Sequence, residues 1–254
     1  MVNEITGSGK LLLFHTSFGC IREFGGYSSP FDFISSLCSV KSHDTTLVMP
    51  SFSYNFINRF KETFPFDTDS THSLTGALTE EFRKYPGVVR TSSPSHSFLF
   101  LGDGTGLTQS NNPVSPLGKG SMCEVIQSNA SARIVMIGCG FESLTHLHYL
   151  ENREQLPYIH INPWEYMGAL PMSLSNSGVY PVIEFPGCAK GFREFENYLL
   201  AVGELKSLST RFKFYILDPQ WLREKFIAFI DRNPFGLLCK SGCKTCDSRL
   251  ILQK

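Results

Sequence analysis

The sequence is short of charge and lacks any bias in its sign. Charged residues make up only 18% of its 254 residues, and 23 Lys and Arg are matched by 23 Asp and Glu, for a formal net charge of +0 at pH 7. A globular chain carries about 25% charged residues. The shortfall, together with 13% aromatics and 22 Phe, calls for a large buried core. It excludes a disordered, collagenous or coiled-coil chain. Without a net field the molecule does not collect polyanions unspecifically, so no nucleic-acid partner is expected. Also missing is any run near the ~18 consecutive apolar residues of a membrane span. Met1-Val2-Asn3-Glu4 has neither the basic nor the apolar region of a signal peptide. These absences lead to the expectation of a cytoplasmic protein with no membrane partner.

Eight cysteines are present, and without an export signal they are expected to be reduced thiols. Cys20, Cys38, Cys123, Cys139 and Cys188 stand singly among small or apolar residues, as small buried hydrophobes do. Cys239-Lys-Ser-Gly-Cys243-Lys-Thr-Cys246 has a Cys-x3-Cys-x2-Cys spacing found in some iron–sulfur ligand sets. Only three ligands are local, so the expectation is a reduced, solvent-facing tail (236–254) and no metal site.

Continuous apolar runs at Lys10–Phe14, Thr45–Met49, Ser97–Leu101 and Arg133–Ile137 suit strands covered on both faces. Helical spacing lies between them at Phe31–Val40, Leu74–Tyr85 and Ser121–Gln127. Further on, helices are expected over Ser143–Gln155, Phe192–Leu205 and Pro219–Ile230, and strands over Val179–Phe185 and Phe212–Leu217. Pro181 confines the first of these strands to an edge or a bulge. The order predicts a three-layer α/β fold with a central, mostly parallel or mixed sheet and a smaller, less regular C-terminal part. One domain spanning 1–254 is expected, with a subdomain starting at about 163, where Pro163 opens a Pro- and Gly-containing stretch.

Two glycine motifs fail on spacing. Gly7-Ser-Gly-Lys10 lacks the earlier Gly of a phosphate-binding loop and the Ser or Thr after its Lys, and Gly102-Asp-Gly-Thr-Gly106 does not match a dinucleotide fingerprint. Among seven histidines, His148 shares a helix face with Glu151 at i,i+3, while His146 and His148, two apart, cannot hold one metal together. Taken alone, such a histidine is more often a packed core residue than a base.

A set of landmarks in order changes that balance: His15-Thr-Ser17 followed by Gly25-Gly26; Leu47-Val-Met-Pro-Ser-Phe-Ser53; Gly76-Ala-Leu-Thr-Glu-Glu-Phe-Arg83; Pro86-Gly-Val-Val-Arg90; Ser95-His-Ser-Phe98; Ser115-Pro-Leu-Gly118; Ile137-Gly-Cys-Gly140; and Leu147-His148 with Glu151. Over roughly residues 10 to 200 the chain resembles the aminoglycoside 3-N-acetyltransferase family. The resemblance implies an enzyme that passes an acyl group, acetyl or hydroxybutyryl, from acyl-coenzyme A to an amine. It implies His148 as general base, oriented by an acidic residue for which Glu184 is nominated and Glu151 is the close rival. It implies acyl-coenzyme A contacts at Thr16, Ser17, Gly25, Gly26 and Ser115, and substrate contacts at Ser53, Tyr54, Asn55, His96 and Ser97. Many members carry a His before the Pro where this chain has Ser93-Pro94, which leaves His96 as the nearby imidazole.

A neutral imidazole can take the proton that an amine must lose, and a carboxylate on its other nitrogen fixes the tautomer. A polycationic aminoglycoside favours an acidic protein, whereas this chain is neutral. The substrate expected from that comparison is a nucleotide-linked amino sugar, with Phe52, Tyr54 and Phe56 for a base and Arg59 for phosphate. An aminoglycoside is the alternative, and a non-catalytic acyl-coenzyme A-binding homologue the alternative from another class. Homodimerisation stays open.

Overall fold

A computed structural model describes residues 1–103, 114–161, 168–184, 187–239 and 242–253. Its main sheet contains β1 (Leu11–Thr16), β2 (Thr46–Pro50), β4 (Val89–Arg90), β5 (Phe98–Leu101), β6 (Ala132–Ile137) and β9 (Phe214–Leu217) in the order β4-β5-β2-β1-β6-β9. The strands β2, β1 and β6 run parallel, and β5, β4 and β9 are antiparallel additions. The first five residues of β1 are buried, as a continuous apolar run with helices on both faces requires.

Alternate residues divide between two cores. Leu11, Leu13, Val48, Ile134 and Met136 pack with α5 (Met122–Ser128), α6 (His146–Arg153), α7 (Phe192–Ala201) and α8 (Pro219–Ile230). Leu12, Phe14, Leu47, Met49, Val135 and Ile137 pack with α1 (Val2–Thr6), α2 (Phe18–Gly25), α3 (Pro30–Val40) and α4 (Ala77–Arg83). This is the expected three-layer arrangement. Each wholly buried Leu or Phe contributes about 1.5–3 kcal/mol relative to exposure.

Several boundaries move for local reasons. The helix expected over Leu74–Tyr85 starts only at Ala77, because Gly76 has φ 120° and Thr75 leaves the helix to donate its hydroxyl to the Pro50 carbonyl at 2.6 Å. The helix expected from Ser143 starts at His146, after a 3-10 turn over Phe141–Ser143. A second sheet joins β3 (Phe56–Asn58), β7 (Ala169–Ser175) and β8 (Gly178–Pro181) in the order β3-β7-β8. Pro181 lies in the edge strand β8, as expected, opposite Met172. This sheet draws on chain from both sides of the subdomain boundary expected near 163.

The C-terminal tail departs from expectation. Residues Lys244–Leu250 form a short helix, α9, whose Cys246 and Arg249 are buried. The tail therefore packs on the body of the protein. No helix among the described residues is long and apolar enough to cross a membrane.

Candidate active site

The strand order reverses about β1, with β2 on one side and β6 on the other. In open α/β sheets, ligands bind beyond the C-terminal ends of the strands at such a switch point. A cavity of about 600 Å³ opens there. It is lined by His15 and Thr16 from the end of β1, Pro50 and Phe52 from the end of β2, Glu142, Ser143 and Thr145 beyond β6, and His148 from α6.

Three imidazoles face this cavity, and their surroundings separate them. Burial pushes His15 down to about 4 and His96 down to about 3, the latter with help from the nearby His148, so both are neutral. Nε2 of His15 and both ring nitrogens of His96 are buried without a hydrogen-bond partner. Of the three, His148 alone has a carboxylate: its Nδ1–H donates to Glu151 Oε2 at 2.7 Å. The Tyr158 hydroxyl donates to the other oxygen, Oε1, at 2.8 Å. Glu151 is only 3% exposed, so its charge is held by these two donors in a dry setting. A neutral imidazole held this way carries its proton on Nδ1 and presents Nε2 as an acceptor. Its ring also packs against Phe192 with centroids 4.6 Å apart.

Other nominated residues are dispersed. Glu184 does not reach His148; it accepts from the Ser115 hydroxyl at 2.5 Å, and burial raises its carboxyl above the usual range. Glu184 borders a second cavity of about 650 Å³, with Lys119, Arg153 and Arg249. The i,i+3 spacing on α6 places Glu151 on the imidazole.

Ser17 caps α2 by accepting from the Cys20 N–H, and with Thr16 it lines a recess of about 430 Å³ that shares Thr16, Thr75 and Ser143 with the His148 cavity. Gly25 and Gly26 sit at the opposite end of this eight-residue helix, roughly 12 Å away at 1.5 Å per residue. Gly26, at φ 75°, ends the helix and does not line the recess.

On the substrate side, Tyr54 and His96 line the main cavity. Tyr54 adopts φ 48°, a left-handed conformation that bulky residues rarely take. Ser53 and Asn55 border a different hollow: Ser53 donates to the Pro94 carbonyl at 2.5 Å, and Asn55 donates to Phe64 O and Leu174 O at 2.6 and 3.0 Å. Ser97 is wholly buried, donating to Ser51 O at 2.6 Å and accepting from Arg90 Nε at 2.9 Å. The contacts of these three residues hold loops together. Arg59 is exposed and does not line the His148 cavity.

Sequence reasoning missed His15 and Glu142 as lining residues. The signal for His15 was its position at the end of a parallel strand, where the fold places ligands. Glu142 Oε2 is buried without a partner, while its Oε1 faces Arg193 at 3.5 Å. Among the described residues, the His148 cavity is lined by Glu142 and by no Lys or Arg.

The sequence model for aminoglycoside 3-N-acetyltransferase matches residues 13–208. Among solved structures, the apoenzyme of aminoglycoside acetyltransferase AAC(3)-IVa is similar at TM-score 0.75 and 20% identity, covering 98% of this chain and 95% of that one. A mutant of that enzyme in complex with gentamicin gives TM-score 0.72 at 21% identity, over 97% and 95% of the two chains. AAC-IIIb in a binary complex with coenzyme A gives TM-score 0.69 at 16% identity, over 91% and 95%.

Proposed function

Since the chain belongs to the aminoglycoside 3-N-acetyltransferase family, whose members are acyl-coenzyme A-dependent N-acyltransferases, we propose that it acetylates an amine of an aminoglycoside with His148 as general base. The observation that carries this reading is the cavity itself. An imidazole backed by a carboxylate stands at the switch point, in a wall that among the described residues includes the carboxylate of Glu142 and no Lys or Arg. Such a wall suits an ammonium-bearing ligand and gives a diphosphate no cationic partner. The nucleotide-linked amino sugar expected from sequence rested on net charge alone. The local field and the aminoglycoside bound in a similar structure favour the alternative.

Acyl-coenzyme A supplies a thioester carbonyl as the electrophile. The recess at the start of α2 suits its phosphate-bearing arm. The first N–H groups of a helix lack intrahelical partners and carry partial positive charge, and here Phe18 and Gly19 open α2 beside Arg22. The recess joins the His148 cavity through Thr16, Thr75 and Ser143, so the two ligands can meet in one space. His148 Nε2 takes a proton from the attacking amine. Glu151 stabilises the imidazolium that results, and Tyr158 holds Glu151 in place. No covalent enzyme intermediate is required. Proximity of the two ligands supplies the remaining rate enhancement.

Thiol release from acetyl-coenzyme A with two panels of amines tests the reading. Turnover with gentamicin-type and apramycin-type aminoglycosides, and none with nucleotide-linked amino sugars, is expected. Turnover confined to nucleotide-linked sugars overturns the substrate assignment. Tight coenzyme binding without turnover of any amine supports the non-catalytic alternative instead.

A further inference from the structure

Cys239, Cys243 and Cys246 lack a fourth ligand in the local sequence, and the fold supplies it. Cys188, 51 residues before Cys239, lies at the turn leading into α7. The four sulfurs all lie within 4.8 Å of one another, and Cys188 Sγ is 3.8 Å from Cys239 Sγ. A zinc ion with Zn–S bonds of 2.3 Å in tetrahedral geometry requires sulfurs about 3.8 Å apart. An iron–sulfur cluster spreads its thiolates over several irons and needs a wider cage. We propose that Cys188, Cys239, Cys243 and Cys246 bind one zinc ion as a closed, structural tetrathiolate site.

The surroundings suit the charge. Four thiols lose four protons on binding Zn²⁺, which leaves a net charge of −2. The Lys190 N–H donates to Cys188 Sγ at 3.4 Å, as backbone amides around zinc-bound sulfur do. Lys244 follows Cys243 and Lys190 lies two residues after Cys188, and both are exposed. With all four positions held by thiolates, none is left for water or substrate, so the metal has no direct part in acyl transfer.

Its role is to fasten α9. A seven-residue helix has little stability of its own, and this one carries one residue of the active-site wall and one that packs behind it. Thr245 lines the His148 cavity beside Gly187 and Cys188. Arg249, 2% exposed, leaves no room for a side chain at Gly187, donates from Nε to Ile161 O at 3.3 Å and lies over the Tyr158 ring at 5.5 Å. Tyr158 in turn holds Glu151. The metal thus anchors a chain of contacts that ends at the base.

The test measures metal content of the full-length protein expressed with zinc in the medium and purified without chelator. One zinc per chain is expected. Co²⁺ replacing zinc should give the intense thiolate charge-transfer absorption and visible bands of a tetrahedral sulfur site. Cys239→Ser and Cys188→Ser should each lower zinc content at least tenfold, whereas Cys38→Ser should retain it. Should the ligand variants fail to fold, the wild-type stoichiometry and the cobalt spectrum still decide. Less than a tenth of an equivalent of metal, an iron–sulfur absorption spectrum, or a mass deficit showing disulfides among the four would each overturn the assignment. None of these readouts depends on the acyltransferase reaction.

Discussion

Replacing Glu151 by Gln keeps the shape of a side chain that is 3% exposed and removes its charge. The carboxylate accepts from His148 Nδ1 and from the Tyr158 hydroxyl. An amide can still present its oxygen to Nδ1 and its NH2 to the Tyr158 oxygen, so ring and tautomer can persist. What disappears is the attraction between Glu151 and the imidazolium formed as the amine gives up its proton. At about 4 Å between charge centres and an effective dielectric constant of about 20, that attraction is ~4 kcal/mol. Retaining the hydrogen bond to a neutral acceptor returns about 1 kcal/mol. The remaining ~3 kcal/mol predicts a fall in kcat of roughly 100-fold. Steady-state thiol release at saturating acetyl-coenzyme A and aminoglycoside reads kcat, KM for each substrate follows from the same curves, and thermal unfolding is measured in parallel. The loss should lie in kcat with both KM values within about twofold, and Tm should not fall, since a buried charge has been removed. A loss below threefold, or a kcat loss that tracks a drop in Tm, refutes the positioning role of Glu151.

Acid should destabilise the protein through its buried histidines. His15, His96 and His146 are lowered to about 4, 3 and 3 by burial, so the folded state stays unprotonated while the unfolded chain takes up three protons below pH 6.5. Their contribution is full above pH 6.5 and is lost as pH falls toward 4, with about 4 kcal/mol gone by pH 5.5; denaturant unfolding that is flat from pH 6.5 to 5 contradicts this. Gly138 sits at φ 70° at the end of β6, where a Cβ would collide with Cys20 Cβ and Sγ in α2. Gly138→Ala should cost on the order of 3 kcal/mol and raise the Kd for coenzyme A by shifting the start of α2, and unchanged stability by chemical denaturation rules out that packing. Glu142→Gln should raise KM for a polycationic aminoglycoside about fivefold, or ~1 kcal/mol, with kcat within twofold; an unchanged KM removes Glu142 from substrate recognition.

The parts of the fold visible in the sequence are those whose signal is local. The runs at β1, β2, β5 and β6 are uninterrupted because both faces are covered, and α8 matches Pro219–Ile230 because Asp218 caps it and Pro219 opens it. By contrast, β7 was hidden because its inward residues are Ala169, Ser173 and Ser175, which do not read as a buried face. His148 and Glu151 were legible because one helical turn sets their separation. Glu184 was misplaced as the orienting acid because a partner 36 positions away depends on how a loop returns, and that loop delivers it to Ser115. The cysteine set was read as incomplete for the same reason, since Cys188 reaches the other three only through the tertiary fold. Net charge is a weak guide to the substrate because a sum over 254 residues says nothing of the few that line a cavity.

The most direct test of the central claim compares wild type and His148→Ala in acetyl-coenzyme A-dependent acetylation of an aminoglycoside, with coenzyme A affinity measured by calorimetry on both proteins. The account predicts a loss of kcat of at least 1,000-fold, on the order of the ~10²–10⁴ ascribed to general bases, with coenzyme A Kd changed less than threefold. A variant that retains wild-type kcat at saturation while losing coenzyme A affinity would contradict it.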